Sequence, residues 1–127
     1  QTGTYGVYFT TNLGGTHSDH MVTDNDFSAA STLAISGTGG AIPATARIRN
    51  NRGYVSEAAG VTTAIATGST VTHGCATTPT VVNVTATSNG PTDVYVSAIG
   101  ATTFVVNYGG GGTHTFAWQA LTANYYA

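Results

Sequence analysis

Two aspartates in the run DNDF are spaced so that they could support catalysis. Asp24 and Asp26 stand two positions apart, so on a strand they would share one face at a separation of about 7 Å. That separation is near the one between the acid and the base of an inverting glycosidase. Aspartates also cap turns by hydrogen bonding to their own backbone, and we favour this structural role over catalysis.

Two histidines in the run THSDH could bind a metal. His17 and His20 stand three positions apart, but zinc needs three or four ligands at fixed geometry. The pair alone therefore predicts no metal site. One alternative stays open, because a symmetric trimer could build a threefold site from one histidine of each chain.

The only cysteine, Cys75, lies two residues after His73. A Cys–His nucleophile would need the two side chains on one face, and a turn at Gly74 would separate them. A single cysteine forms no disulfide within the chain, and free cysteine is among the most buried residue types. We therefore expect a small buried hydrophobic residue at Cys75, and a structural His73 that bonds a backbone carbonyl.

Aromatic rings alternate along the run THTFAWQAL. His114, Phe116 and Trp118 would share a face of a strand, and if that face points outward they form a strip on which sugar rings could stack. If it points inward, the three are core or interface residues. We favour burial because the only tryptophan of a small sandwich usually lies in its core. Trp118 is also an interface candidate, together with Tyr125 and Tyr126 near the end of the chain.

The composition excludes several classes of function. Three arginines, no lysine and a net charge of −2 provide no basic stripe for nucleic acid. No apolar run approaches the ~20 residues of a membrane helix. Charged residues make up 6% of the chain, against about 25% in a typical soluble domain. Such a composition is typical of secreted or virion-surface β proteins that bury much of their surface in an oligomer.

The candidate residues of the second half are predicted to lie on strands. Between residues 70 and 120, apolar runs rich in Val, Thr, Tyr and Phe have the length of strands and are separated by turn signals. Asn89-Gly90 and the four glycines at 109–112 supply the positive φ angles of tight reversals. We predict an antiparallel β-sandwich of about six strands, built from hairpins, after a linker at 55–61.

The first half of the chain contains a repeat. A shift of 27 residues places the run GVYF on LAIS, and a shift of 26 aligns Val22 with Ile48, Asn25 with Asn51 and Asp26 with the oppositely charged Arg52. Two units of this length, each with two short strands, fit the coils of a parallel β-solenoid. We therefore predict that the aligned apolar side chains stack, that the asparagines stack at a turn, and that the aspartate and arginine form an ion pair between coils.

The order of these motifs resembles a known family. HMVTDNDF and ARIRNNRGYVSEAAG look like the last coils of a pectate-lyase-like right-handed β-helix. The sequence from TAIATG to FAWQA resembles the small β-sandwich that follows such helices in viral tail-spike or tail-fibre-like proteins and in some secreted polysaccharide-degrading proteins. The resemblance implies an all-β chain with terminal solenoid coils in 1–56 and a sandwich in 57–127. Cys75 departs from the leucine expected after His-Gly, and the long helix that carries catalysis in such proteins is not in this sequence.

The resemblance implies a structural, oligomerising C-terminal region of a virion tail-spike or tail-fibre protein. We expect a homotrimer at the virion surface or outside the cell that could contact a host cell-surface polysaccharide. Two alternatives stay open: a carbohydrate-binding accessory region of a secreted β-helix enzyme, and a subunit of an extracellular filament. With no convincing acid–base pair, we expect no enzyme. We also expect no cofactor, no metal, no nucleic-acid partner and no membrane insertion. The start at Gln1, inside a repeat, indicates a processed product or a fragment.

Overall fold

A computed structural model describes residues 5–9, 20–28, 33–37 and 42–126. These residues are all-β, with one short helix near the end of the chain. In chain order the elements are β1 (Tyr5–Phe9), β2 (Met21–Thr23), β3 (Leu33–Gly37), β4 (Arg47–Arg49), β5 (Glu57–Ile65), β6 (Ser69–Thr72), β7 (Val81–Ala86), β8 (Thr92–Ser97), β9 (Thr103–Gly109), β10 (His114–Leu121) and α1 (Ala123–Tyr126). A search of the described helix finds no segment that is long and apolar enough to cross a membrane.

The chain divides into two compact units. The first comprises Gln1–Ser56 together with Ala123–Ala127, and the second comprises Glu57–Thr122. The first unit is therefore discontinuous in sequence, because α1 follows the second unit in the chain. The domain predicted at 57–127 differs from the second unit at this helix, whose side chains bond to the first unit.

The first unit contains two parallel strand pairs. β2 pairs with β4 so that Val22 lies beside Ile48, as the 26-residue shift predicts, and both side chains are buried in the core. β1 pairs with β3 at a shift of 28, which places Val7 beside Ile35, so the predicted shift of 27 is wrong. A slip of one residue turns every side chain to the other face, and only the observed register directs both residues of this pair to the core.

The second unit is a sandwich of two three-stranded antiparallel sheets. One sheet has the order β5-β10-β7 and the other has the order β6-β9-β8. Alternate residues of β9 point inward, and the apolar side chains of both sheets form one buried cluster with Val71, Phe104, Val106, Tyr108 and Phe116 at its centre. The period-2 alternation of apolar residues explains why these segments form half-buried strands.

The predicted hairpins are mostly absent from this sandwich, although the turns lie where the sequence indicates. Gly90, Gly110, Gly111 and Gly112 all have positive φ angles, as their turns require. The turns after β7 and after β9 nevertheless lead from one sheet to the other. Within the described sandwich only β8 and β9 are both consecutive and paired. A turn signal predicts a reversal of the chain, whereas the partner of each strand depends on which face packs in the core.

The predicted linker at 55–61 is wrong, because β5 covers most of it. β5 pairs with β10 along its length, and Gly60 lies opposite Trp118. A Cβ atom at Gly60 would come within 2.7 Å of the indole Cζ2. The first part of β5 therefore contains small residues instead of alternating apolar and polar ones, since the tryptophan ring occupies the space that a side chain at Gly60 would fill.

Candidate functional site

Two stacked asparagines hold the turn that follows β2 and β4. The Oδ1 atom of Asn51 accepts hydrogen bonds from the backbone N of Asn25 at 3.0 Å and from its Nδ2 at 3.1 Å, and the Nδ2 of Asn51 donates to the carbonyl of Val22 at 2.7 Å. The residues before them, Asp24 and Asn50, both have positive φ angles. This geometry confirms the predicted contact between Asn25 and Asn51, and its role is to fix the backbone.

The carboxylate of Asp26 belongs to the same turn. It accepts hydrogen bonds from the hydroxyl and from the backbone N of Ser28, and it lies 3.4 Å from the Nη1 of Arg52. The Ser28 hydroxyl first, then the Ser28 backbone and Arg52, lower the pKa of Asp26. A catalytic acid needs a raised pKa. The ion pair predicted from the 26-residue shift is therefore confirmed, and the turn role of Asp26 with it.

The His73 ring bonds backbone groups on both of its sides. The ring is buried, its Nδ1 accepts a hydrogen bond from the backbone N of Cys75 at 3.0 Å, and its Nε2 lies 3.1 Å from the carbonyl of Gly100. These contacts require a neutral ring with its proton on Nε2. The Cys75 thiol points instead to the carbonyl of Ala120 at 3.9 Å, and burial raises its pKa. The two side chains do not form a nucleophile and its base.

The aromatic strip of β10 faces the core. Phe116 is fully buried, and Trp118 packs edge-on against Phe104 with ring centroids 5.5 Å apart. His114 packs edge-on against Tyr108 at 5.1 Å, and its Nε2 lies 2.9 Å from the carbonyl of Gly111. The strip therefore stabilises the sandwich, and Phe116 has no face open to a sugar ring.

The end of the chain is bound to the first unit by contacts that the sequence did not indicate. Arg49 donates from Nε to the carbonyl of Tyr125 at 2.7 Å, and its guanidinium lies 4.6 Å from the centre of the Tyr125 ring. Asn124 donates from Nδ2 to the carbonyls of Pro43 and Ala46. Of the other candidates, the side chain of Tyr126 and the whole of His17 lie outside the described residues.

The described parts of the chain contain no group of three or more metal-binding side chains. They do contain a groove of about 480 Å³ between β7 and β8, which are edge strands of the two opposite sheets. Valines of both strands line it, and Tyr95 and Ile99 at its rim are 59% and 39% exposed. The lining contains no carboxylate, imidazole or thiol, and its polar side chains are those of Thr80, Asn83 and Tyr95. Sequence patterns missed it because they do not show which strands form sheet edges.

The geometry of the described residues thus offers stacked turns, a packed core and one uncharged groove. Asp26, His73 and Cys75 each contact backbone groups. Comparisons of the chain with protein-family models, with curated proteins and with solved structures give no match.

Proposed function

We propose that this chain is a structural, oligomerising C-terminal region of a virion tail-spike or tail-fibre protein. The observation that carries the proposal is the parallel pairing of β1 with β3 and of β2 with β4, in a chain that also contains an antiparallel sandwich. Parallel pairs separated by one repeat are the arrangement that successive coils of a β-solenoid adopt. The Asn25–Asn51 contact supports this because it continues the stacking beyond the strands.

One feature of the second unit supports self-association. The second unit contains only two charged residues, Glu57 and Asp93. A surface with so little charge provides little repulsion between copies.

We further propose that the chain does not cleave polysaccharide. Asp26 accepts turn hydrogen bonds, and His73 and Cys75 are buried against backbone groups. Phe116 is buried, and His114 and Trp118 are half-buried, so the strip does not present three open ring faces to a host glycan. Incubation with pectin-like and capsular polysaccharides should release no reducing ends. Release that the Asp24→Asn change abolishes would contradict this proposal.

The assembled mass in solution tests the proposed function. Light scattering at micromolar concentration should give three chains or a multiple of three. A monomer would support the carbohydrate-binding accessory region instead, and an open polymer would support the filament subunit. Each of those two results overturns the tail-spike proposal.

A further inference from the structure

We propose that β7 is a self-association edge, which pairs antiparallel with β7 of a second copy of this chain about a twofold axis. The proposal deepens the proposed function by assigning one self-contact to the sandwich. Because a twofold contact joins copies in pairs, it would link two trimers, and dihedral symmetry of this kind is common in homo-oligomers.

The first step is the direction of the backbone groups of β7. Thr87, directly after β7, donates from its backbone N to the carbonyl of Thr115, and this bond continues the register that pairs Ala86 with Phe116. Backbone groups alternate in direction along an antiparallel strand, so Thr85 and Asn83 also bond to β10. The N–H and C=O groups of the intervening residues point away from β10, at the edge of the sheet. These residues are Val82, Val84 and Ala86.

The second step is a comparison of the four sheet edges in the described sandwich. Edge strands usually carry a charge, a bulge or a short length that prevents pairing with another chain. β5 contains Glu57 and an irregular register near Ala64, β8 contains Asp93 and an irregular register, and β6 has only four residues. β7 has six residues, a continuous register with β10 and no charge. It is the edge that lacks these protections.

The third step identifies the partner as a second copy of β7. A strand without charge can lie beside itself with no like charges in opposition, and Val and Thr are favourable in cross-strand pairs. Pairing centred on Val84 sets the outward groups of Val82 opposite those of Ala86 of the second copy. The exposed side chains of Asn83 and Thr85 then face each other across the axis.

Hydrogen–deuterium exchange distinguishes the amides of β7 that point towards β10 from those that point outward. In any folded state the amides of Asn83 and Thr85 are protected by β10. The amides of Val82, Val84 and Ala86 should exchange rapidly in dilute protein and at least tenfold more slowly at high concentration. If the outward amides exchange equally fast at both concentrations, β7 is not the interface and the proposal is overturned.

Charge substitutions test the register. The double change Asn83→Lys with Thr85→Lys places lysines opposite lysines, and it should halve the mass in light scattering. The double change Asn83→Asp with Thr85→Lys places opposite charges together, and it should restore the native mass. The matched control is Val61→Lys with Thr63→Lys, which adds the same charge at exposed positions of β5, the opposite edge strand of the same sheet, and should leave the mass unchanged.

The outcomes separate this proposal from the proposed function. A native mass of six chains that falls to three supports both. A mass of three chains that no variant changes overturns the β7 contact and leaves the proposed function standing. A dimer that the lysine pair splits supports the β7 contact and overturns the threefold assembly. A monomer at all concentrations overturns both.

Discussion

At the scale of single residues, the side chains with chemical potential serve as hydrogen-bonding groups. The His73 ring is 2% exposed and bonds a backbone group at each nitrogen, so its burial leaves no polar atom unsatisfied. Asn51 likewise uses its carbonyl and amide groups within one turn. These residues keep the backbone in place at turns where regular strand pairing stops.

The close approach of Trp118 to Gly60 leads to the first prediction. The Gly60→Ala change should cost about 1–3 kcal/mol of unfolding free energy, because the new methyl group overpacks against the indole ring. In a Trp118→Leu background the same change should cost less than half as much. Urea denaturation of the native chain, the two single variants and the double variant measures this coupling. The control is Gly100→Ala, since Gly100 has ordinary clearance; equal costs at both glycines would contradict the packing argument.

A second prediction concerns the pH dependence of stability. Burial raises the pKa of the Cys75 thiol, so at alkaline pH the unfolded chain loses its thiol proton before the folded chain does. The contribution to stability is complete below the ordinary thiol pKa of about 8.5 and is lost as pH rises towards the folded pKa. The unfolding free energy should therefore fall more steeply between pH 8 and pH 10 in the native chain than in Cys75→Ala. Parallel curves in urea titrations would refute this.

At the scale of elements, the sequence revealed the strands better than their partners. The 26-residue register of β2 with β4 could be predicted because an apolar pair, an asparagine pair and a pair of opposite charges all align at this shift. The segments that form β1 and β3 contain few polar residues. The sequence therefore offers no residue pair that distinguishes a shift of 27 from a shift of 28. The partners of β5 and β7 depend on the inward face of β10, which lies far along the chain. The β7 edge could not be predicted for the same reason.

The stacked asparagines give the third prediction. The Asn51→Ala change should cost about 2–3 kcal/mol, because it leaves the backbone N of Asn25 and the buried carbonyl of Val22 without their partner. Asn25 is exposed, so Asn25→Ala should cost less than half of that. Thermal unfolding followed by circular dichroism compares the two variants. A larger loss of stability in Asn25→Ala than in Asn51→Ala would show that the contact between the two asparagines does not depend mainly on Asn51.

Positive φ angles at alanine give the fourth prediction. Ala98 has a φ of 47°, in the left-handed region that a Cβ atom disfavours by about 1–2 kcal/mol. The Ala98→Gly change should therefore stabilise the sandwich by about 0.5 kcal/mol, after the greater entropy of glycine in the unfolded chain is subtracted. The control is Ala101→Gly at a nearby exposed position, which should destabilise. The midpoints of urea denaturation test this prediction, and a lower midpoint for Ala98→Gly than for the native chain would contradict the strain argument.

At the scale of the whole molecule, the sandwich interrupts the first unit. Its first and last strands are neighbours, with Glu57 and Leu121 as register partners, so the chain enters and leaves the sandwich at adjacent positions. The sequence places a boundary at 56/57 because residues 55–61 show no pattern in either period, whereas in the structure β5 begins at Glu57. That residues 123–127 belong to the first unit could not be predicted, since they do not match the repeat in the first half of the sequence.

The fifth prediction tests this return. Deletion of residues 123–127 removes the contacts of Asn124 with the loop before β4 and those of Tyr125 with Arg49. Hydrogen–deuterium exchange should become at least tenfold faster in β2 and β4 and remain unchanged in β9 and β10. The single change Asn124→Ala should give an intermediate effect in β4. Uniform acceleration across both units would contradict a local role for the helix.

The position of α1 also sets the order in which the two units can be completed during synthesis. A ribosome releases the parallel strands first, then the sandwich, and α1 after both. The sandwich can fold as soon as it emerges, whereas the first unit gains the contacts of Asn124 and Tyr125 only when α1 has followed. A nascent chain that has reached only the sandwich therefore holds a first unit without these contacts.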